Sequence, residues 1–120
     1  MRLLILEDNP ERIKKFKEIF KHHELFFAKH IAQALITLHQ NEFDIIFLDH
    51  DLDENNLTSY NNGYELCKKM IEFNLQKQAI IYIHSMNPSG ANAMLNILKD
   101  NGYQVDWYPY HLLKLEDKNG

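Results

Sequence analysis

The feature that most constrains the fold is a regular alternation of short apolar runs with longer amphipathic segments. Apolar runs of strand length occupy residues 3–6, 25–28, 43–48, 79–83 and 105–108. Between them, apolar side chains recur at helical spacing in residues 10–20, 31–38, 64–71 and 88–98. This alternation predicts an α/β fold, a doubly wound parallel sheet with helices on both faces, because each right-handed crossover needs a helix to cover the sheet.

The residues that follow the strands of such a sheet decide its chemistry, since ligands bind at the carboxyl ends of the strands. Polar or aromatic side chains follow four of the runs: Glu7, Asp8 and Asn9; Asp49, His50 and Asp51; His84, Ser85 and Asn87; Tyr108 and Tyr110. If the strand order is 2-1-3-4-5, the first, third and fourth strands are neighbours and their polar ends face one another. Carboxylates in one crevice repel unless a cation neutralises them, which predicts a divalent metal ion, Mg²⁺ or Mn²⁺. The predicted ligands are Glu7, Asp8, Asp49 and Asp51.

Two histidines stand at these strand ends and are candidates for acid–base chemistry, because imidazole titrates near neutral pH. They are His50, next to the predicted catalytic carboxyl Asp49, and His84 on the adjacent strand. An extended chain would point His50 away from Asp49, so convergence requires a turn there. The alternative for His84 is a half-buried imidazole bonded to backbone, and for Asp8 a helix cap.

The segment after the fourth run is a candidate phosphate cradle. A helix N-terminus offers N–H groups to an anion, and Gly90 allows the backbone to approach closely. The predicted substrate-binding residues are Ser85, Asn87, Ser89 and Gly90, together with Tyr108. The alternative is that the Ser and Asn residues are ordinary helix caps and that Tyr108 only closes the sheet edge.

The composition of the chain limits the kinds of partner that it can bind. The chain has 13 Lys and Arg residues against 17 Asp and Glu, a net charge of −4, which argues against a broad nucleic-acid or membrane surface. The single Cys67 excludes an intrachain disulfide, and no apolar run reaches the roughly 18 residues of a membrane span. We therefore expect one domain over residues 1–120, in the cytoplasm, and leave its oligomeric state open.

The pattern resembles the receiver domain of two-component response regulators over nearly the whole chain. Residues 6–9, Leu-Glu-Asp-Asn, are similar to the acidic pair that binds Mg²⁺ after the first strand. Residues 43–49 are similar to the strand that ends in the phosphoacceptor aspartate, here Asp49, and residues 62–63 to the glycine that opens the next helix. The resemblance implies a flavodoxin-like, receiver-like sheet in the order 2-1-3-4-5, with a short or missing last helix.

Two departures point to a particular group of receivers. His84 stands where receivers carry Thr or Ser, and Tyr108 stands before Pro109 where they carry Lys. Residues 49–52, Asp-His-Asp-Leu, and residues 84–91 are similar to a receiver-like family proposed to process cyclic phosphates. This resemblance implies a phosphoesterase that opens a cyclic phosphate, such as an RNA 2′,3′-cyclic end or a small cyclic nucleotide. The alternatives are an interaction module without turnover and an unusual receiver phosphorylated on Asp49.

Overall fold

The computed structural model describes residues 1–52 and 62–113, which form a sheet and its flanking helices. The strands are β1 (Arg2–Leu6), β2 (Glu24–Ala28), β3 (Ile45–Leu48), β4 (Ile80–Ile83) and β5 (Gln104–Trp107). The helices are α1 (Pro10–Ile19), α2 (Ile31–Gln40), α3 (Gly63–Glu72) and α4 (Pro88–Asp100), followed by a single 3₁₀ turn at Tyr110–Leu112. The predicted loop over residues 51–62 falls mostly outside the described residues, as does the chain after residue 113.

All neighbouring strands pair in parallel, in the order β2-β1-β3-β4-β5. The predicted fold class and strand order are therefore confirmed. Strand β5 starts and ends one residue earlier than the apolar pattern predicts, because Gln104 pairs with Ile80 despite its polarity. In the described part of the chain, no helix is both long enough and apolar enough to cross a bilayer.

Alternate residues of the strands enter two different cores. On one face, Leu6, Leu48 and Ile83 pack with helices α2, α3 and α4. On the other face, Ile5 and Phe47 pack with Phe16 of α1 and with Leu113. Because side chains alternate along a strand, the residue after Leu6, Leu48 or Ile83 faces the α1 side whenever the chain stays extended.

Helix α1 begins directly after this sheet edge. The Asn9 side chain accepts hydrogen bonds from the backbone N–H groups of Glu11 and Arg12, at 2.9 and 3.2 Å, and Pro10 occupies the first helical position. Asn9, and not Asp8, is therefore the cap, which satisfies N–H groups that have no partner within the helix. This cap places Arg12 in the first turn, beside the ends of β1 and β3.

Candidate active site at the carboxyl ends of the strands

Three polar side chains form a row across three adjacent strands. The register pairs Leu6 with Leu48 and Leu48 with Ile83, so the residues that follow them lie side by side. These residues are Glu7, Asp49 and His84, which are 1%, 5% and 0% exposed. One ligand atom from each lies within 4.8 Å of the others. Buried polar groups this close together are typical of a functional site, because burying them is otherwise unfavourable.

His84 forms the closest contact in this row. Its Nε2 lies 2.9 Å from Glu7 Oε1, and its ring packs edge-on against Phe16, with the ring centroids 5.1 Å apart. Its Nδ1 is buried and has no hydrogen-bond partner within the described residues. The alternative predicted for His84, a half-buried imidazole bonded to backbone, does not match this buried pairing with a carboxylate.

The pKa values of the two carboxyl groups of the row shift in opposite directions. Burial raises the pKa of Glu7, but the hydrogen bond and charge of His84, the Asn9 N–H and Arg12 more than offset it, so the net pKa is lowered. For Asp49, burial outweighs the attraction of His84, and the Glu7 charge adds to burial, so the pKa rises to about 6. Two neighbouring carboxyls with separated pKa values are suited to opposite roles in proton transfer.

A pocket of about 330 Å³ opens beside this row. Its lining includes the four carboxyl residues predicted as metal ligands, and the full set is Glu7, Asp8, Asn9, Arg12, Asp49, Asp51, Leu52, Met86 and Asn87. His84 is not among the lining residues. It contacts Glu7 directly, and its electrostatic attraction also works to lower the pKa of Asp49. Among these lining residues, Arg12 is the single Lys or Arg, and it shares the lining with four carboxyl groups.

Arg12 is a site residue that the strand-end pattern misses. Its Nη1 lies 3.8 Å from Glu7 Oε1 and 4.0 Å from Asp49 Oδ2. The guanidinium also lies over the Tyr110 ring, 4.4 Å from the centroid. The pattern of strand ends cannot find a residue in the following helix, but the Asn9-Pro10 helix start places Arg12 one turn from the sheet edge.

His50 lies on the opposite side of the sheet from the row. A Cβ on Gly90 of α4 would come within 2.5–2.7 Å of atoms in the His50 ring, so the imidazole occupies the space that glycine leaves. Its Nδ1 lies 2.8 Å from Asp51 Oδ1. The structure therefore does not bring His50 and His84 together as a facing acid–base pair, because strand alternation continues through Asp49 and His50. It also gives Gly90 a packing role against His50 and no place in the pocket lining.

The other predicted substrate-binding residues are placed as follows. Asn87 lines the pocket and caps α4, with its side-chain oxygen 3.1 Å from the Gly90 nitrogen. Ser85 is buried and its hydroxyl accepts from the Asn87 N–H at 3.0 Å, while Ser89 is exposed on α4. The Tyr108 ring packs edge-on against Tyr82. Ser85, Ser89 and Tyr108 are absent from the pocket lining.

The residues present fit a divalent cation in part. Receiver domains bind Mg²⁺ through acidic residues, and Glu7 and Asp49 present carboxylate oxygens close together here. His84 adds an imidazole nitrogen, a ligand that suits Mn²⁺ or a softer ion better than Mg²⁺. Asp8 and Asp51 line the pocket but lie outside this cluster of three. The cluster therefore lacks two of the four predicted ligands, Asp8 and Asp51, and adds His84.

Solved structures with a similar fold include receiver domains of response regulators. A CheY-like receiver domain from Methylobacillus flagellatus has a TM-score of 0.67 and 19% identity, covering 96% of this chain and 89% of that one. A two-component response regulator from Clostridium difficile has a TM-score of 0.66 and 19% identity, with 91% and 82% covered. A sensor protein from Polaromonas sp. JS666 has a TM-score of 0.69 and 16% identity, with 94% and 85% covered. Identities this low establish the fold alone.

Sequence comparison gives a narrower result. No curated protein matches the chain significantly. The family model of the cyclic-phosphate processing receiver domain matches residues 2–100, which include β1, β3 and β4 and all three residues of the buried row. The chain therefore belongs to the cyclic-phosphate processing receiver domain family.

Proposed function

We propose that this protein is a phosphoesterase that opens a cyclic phosphate by adding water. The observation that carries the proposal is the buried row of Glu7, Asp49 and His84 at the edge of a pocket of about 330 Å³. Membership of the cyclic-phosphate processing family supports the reaction class. The substrates that fit this class are a small cyclic nucleotide and an RNA 2′,3′-cyclic end. The net charge of −4 favours such small or terminal groups over a long duplex.

The reaction needs two proton transfers. Water forms a new bond to phosphorus and loses a proton, while the bond from phosphorus to one ring oxygen breaks and that oxygen gains a proton. The product is a phosphomonoester with a free hydroxyl. Glu7, whose pKa is lowered, is the candidate proton acceptor, and Asp49, whose pKa is raised to about 6, is the candidate donor.

His84 acts as a positioning residue in this proposal. It is fully buried and reaches the pocket through its contact with Glu7, at 2.9 Å. This contact fixes the Glu7 carboxylate and helps to keep it ionised. A divalent ion, which Glu7 and Asp49 would hold, would keep both carboxyl groups ionised and would supply positive charge to the phosphate oxygens in place of their proton transfers. A chelator therefore separates metal-assisted turnover from turnover by the side chains alone.

The receiver alternative, phosphorylation of Asp49, has less support. In the receiver resemblance, the residues that read a phosphorylated aspartate are a Thr or Ser and a Lys. In this chain, His84 and Tyr108 stand at those positions. His84 is bonded to Glu7, and Tyr108 packs against Tyr82. An acyl-phosphate on Asp49 after treatment with a small phosphodonor would favour the alternative.

The test is turnover of a defined substrate panel. The protein is incubated with 2′,3′-cyclic mononucleotides, 3′,5′-cyclic mononucleotides and an RNA oligonucleotide with a 2′,3′-cyclic end, each with Mg²⁺, Mn²⁺ or EDTA. Phosphorus NMR distinguishes the diester from its monoester product. We expect conversion of at least one class. No conversion in any arm would contradict the proposal.

Variants of the row test the residue roles. We expect Asp49→Asn to lower kcat by about a hundredfold or more, since it removes a proton donor. His84→Gln should move the acidic limb of the kcat profile to higher pH, because losing the charge of the imidazole raises the pKa of Glu7. The matched control is His39→Gln on the exposed face of α2, which should change neither quantity. Full activity in Asp49→Asn would contradict the assignment.

A further inference from the structure

The pocket presents an electrostatic problem for any phosphate ligand. Its lining carries the carboxyl groups of Glu7, Asp8, Asp49 and Asp51 and the single guanidinium of Arg12. A phosphate that enters meets repulsion from carboxylates at close range, and a low-dielectric wall strengthens that repulsion. Positive charge from the chain itself therefore has to come from Arg12 among the lining residues.

Arg12 is held so that it can contact a ligand. Its side chain is 29% exposed, and its contacts with Glu7 and Asp49 are 3.8 and 4.0 Å long. Both distances exceed the usual hydrogen-bond range, so these ion pairs leave the N–H groups of the guanidinium able to donate to another acceptor. The Tyr110 ring beneath it, 4.4 Å from the guanidinium carbon, supports its orientation.

We propose that Arg12 is the phosphate-binding residue of this site. The inference rests on the proposed function and extends it from the reaction class to the recognition of the ligand. Guanidinium donates two parallel hydrogen bonds to phosphate oxygens, which suits a phosphodiester and its monoester product. Helix α1 thus supplies the positive charge that the receiver resemblance assigns to a Lys on the fifth strand, where Tyr108 stands here.

Lys15 provides a matched control on the same helix. Its Nζ lies 4.9 Å from the centroid of the same Tyr110 ring, but Lys15 is absent from the pocket lining. Lys15→Gln therefore removes one positive charge near the site, as Arg12→Gln does, without removing a group from the pocket. If the two variants differ in phosphate affinity, the loss in Arg12→Gln comes from a local contact, because both variants lower the net charge by the same amount.

The experiment measures binding separately from turnover. Inorganic phosphate, adenosine 2′-phosphate and adenosine 3′-phosphate are titrated into the full chain by amide NMR, with Mg²⁺ and with EDTA. We expect Arg12→Gln to raise the Kd for phosphate about ten- to a hundredfold, because the variant loses charge-assisted hydrogen bonds to the ligand. Arg12→Lys should recover part of the affinity, since it keeps the charge but loses the bidentate geometry. Lys15→Gln should stay within twofold of wild type.

Two results would overturn the assignment: no phosphate binding to the wild-type chain, or binding to Arg12→Gln within twofold of wild type. Arg12→Lys, which keeps the ion pairs, guards against a variant that simply fails to fold. Binding that depends on Arg12 without turnover of any cyclic phosphate would contradict the proposed phosphoesterase and support the Arg12 assignment. Turnover with phosphate binding that does not depend on Arg12 would contradict only the assignment.

Discussion

Asp49 shows how a single residue at this site is held in an unfavourable state. Its side chain is buried beside the Glu7 carboxylate, and both conditions disfavour its ionised form. The His50 N–H, 2.8 Å from Asp49 Oδ1, and the nearby Arg12 guanidinium oppose this effect in part. The net result is a pKa of about 6. Such a residue reduces stability at neutral pH, which is common for groups retained for function.

We predict that Asp49→Asn stabilises the protein above pH 6 when EDTA is present. The pKa of Asp49 is about 6 in the folded chain against an ordinary value of 3.8. Ionisation therefore costs stability as pH rises from about 4 to 6, and the cost is complete above pH 6. Asparagine removes this cost, so the free energy of unfolding should rise by about 3 kcal/mol at pH 7.5.

Urea unfolding of both proteins between pH 4 and 8 measures this difference, which should shrink toward zero near pH 4. The control is Asp106→Asn, an exposed carboxyl on β5. A gain that is the same at pH 4 and pH 7.5 would show that ionisation of Asp49 is not its cause.

At the scale of elements, two helix starts pack closely against the end of β3. The N–H of Gly63, at the start of α3, donates to the His50 carbonyl at 2.9 Å. A Cβ on Gly63 would overlap the Asp49 carbonyl oxygen. On α4, Gly90 faces the His50 ring. Glycine at both positions lets α3 and α4 approach the strand, and this approach fixes the direction of the chain from Asp49 to His50.

We predict that Gly90→Ala lowers the free energy of unfolding by about 1–3 kcal/mol, the usual cost of overpacking. The added methyl group would lie 2.5–2.7 Å from three atoms of the His50 ring, so the ring or the helix must move. In a His50→Ala background the same substitution should cost much less, because the opposing ring is gone.

A double-mutant cycle by urea unfolding measures this coupling. Ser89→Ala, one position earlier on the exposed face of α4, is the control and should change stability little. Equal costs of Gly90→Ala in the two backgrounds would show that His50 does not explain the glycine.

For the whole molecule, the sheet order is what creates the site. Glu7 and His84 are 77 residues apart in sequence, yet their side chains are in contact. Parallel strands in the order β1-β3-β4 place their carboxyl ends at one edge, and the register aligns residues 7, 49 and 84. A ligand that contacts more than one residue of this row would link separate strands and so stabilise the native fold.

We predict that Mn²⁺ or Mg²⁺ raises Tm of the wild-type chain, since a ligand that binds only the folded state stabilises it. At a metal concentration of about a hundred times Kd, the free energy of unfolding rises by about 2.7 kcal/mol. Asp49→Asn should lose most of this shift, because it replaces one of the clustered carboxylates. Thermal melts with and without EDTA measure the effect. An equal metal-induced shift in Asp49→Asn would place the ion elsewhere.

Much of this architecture could be predicted from the sequence, because it depends on local pattern. Apolar runs predict the strands, helical spacing predicts the helices, and the number of alternations predicts the parallel sheet. The same logic places Glu7 and Asp49 at one sheet edge. Side-chain alternation after Leu48 also predicts that His50 points away from Asp49 unless the chain turns there.

The pattern of the sequence therefore determined the fold class and the sheet edge at which polar groups collect, and the resemblance to receivers implied the strand order. Only the tertiary structure decided which of those groups meet. Strand register decides that His84 contacts Glu7. The approach of the helices to the sheet decides that Arg12 lies near both carboxylates and that His50 packs against Gly90. These contacts join segments that are distant in the chain or separated by a turn, so the local spacing of residues cannot predict them.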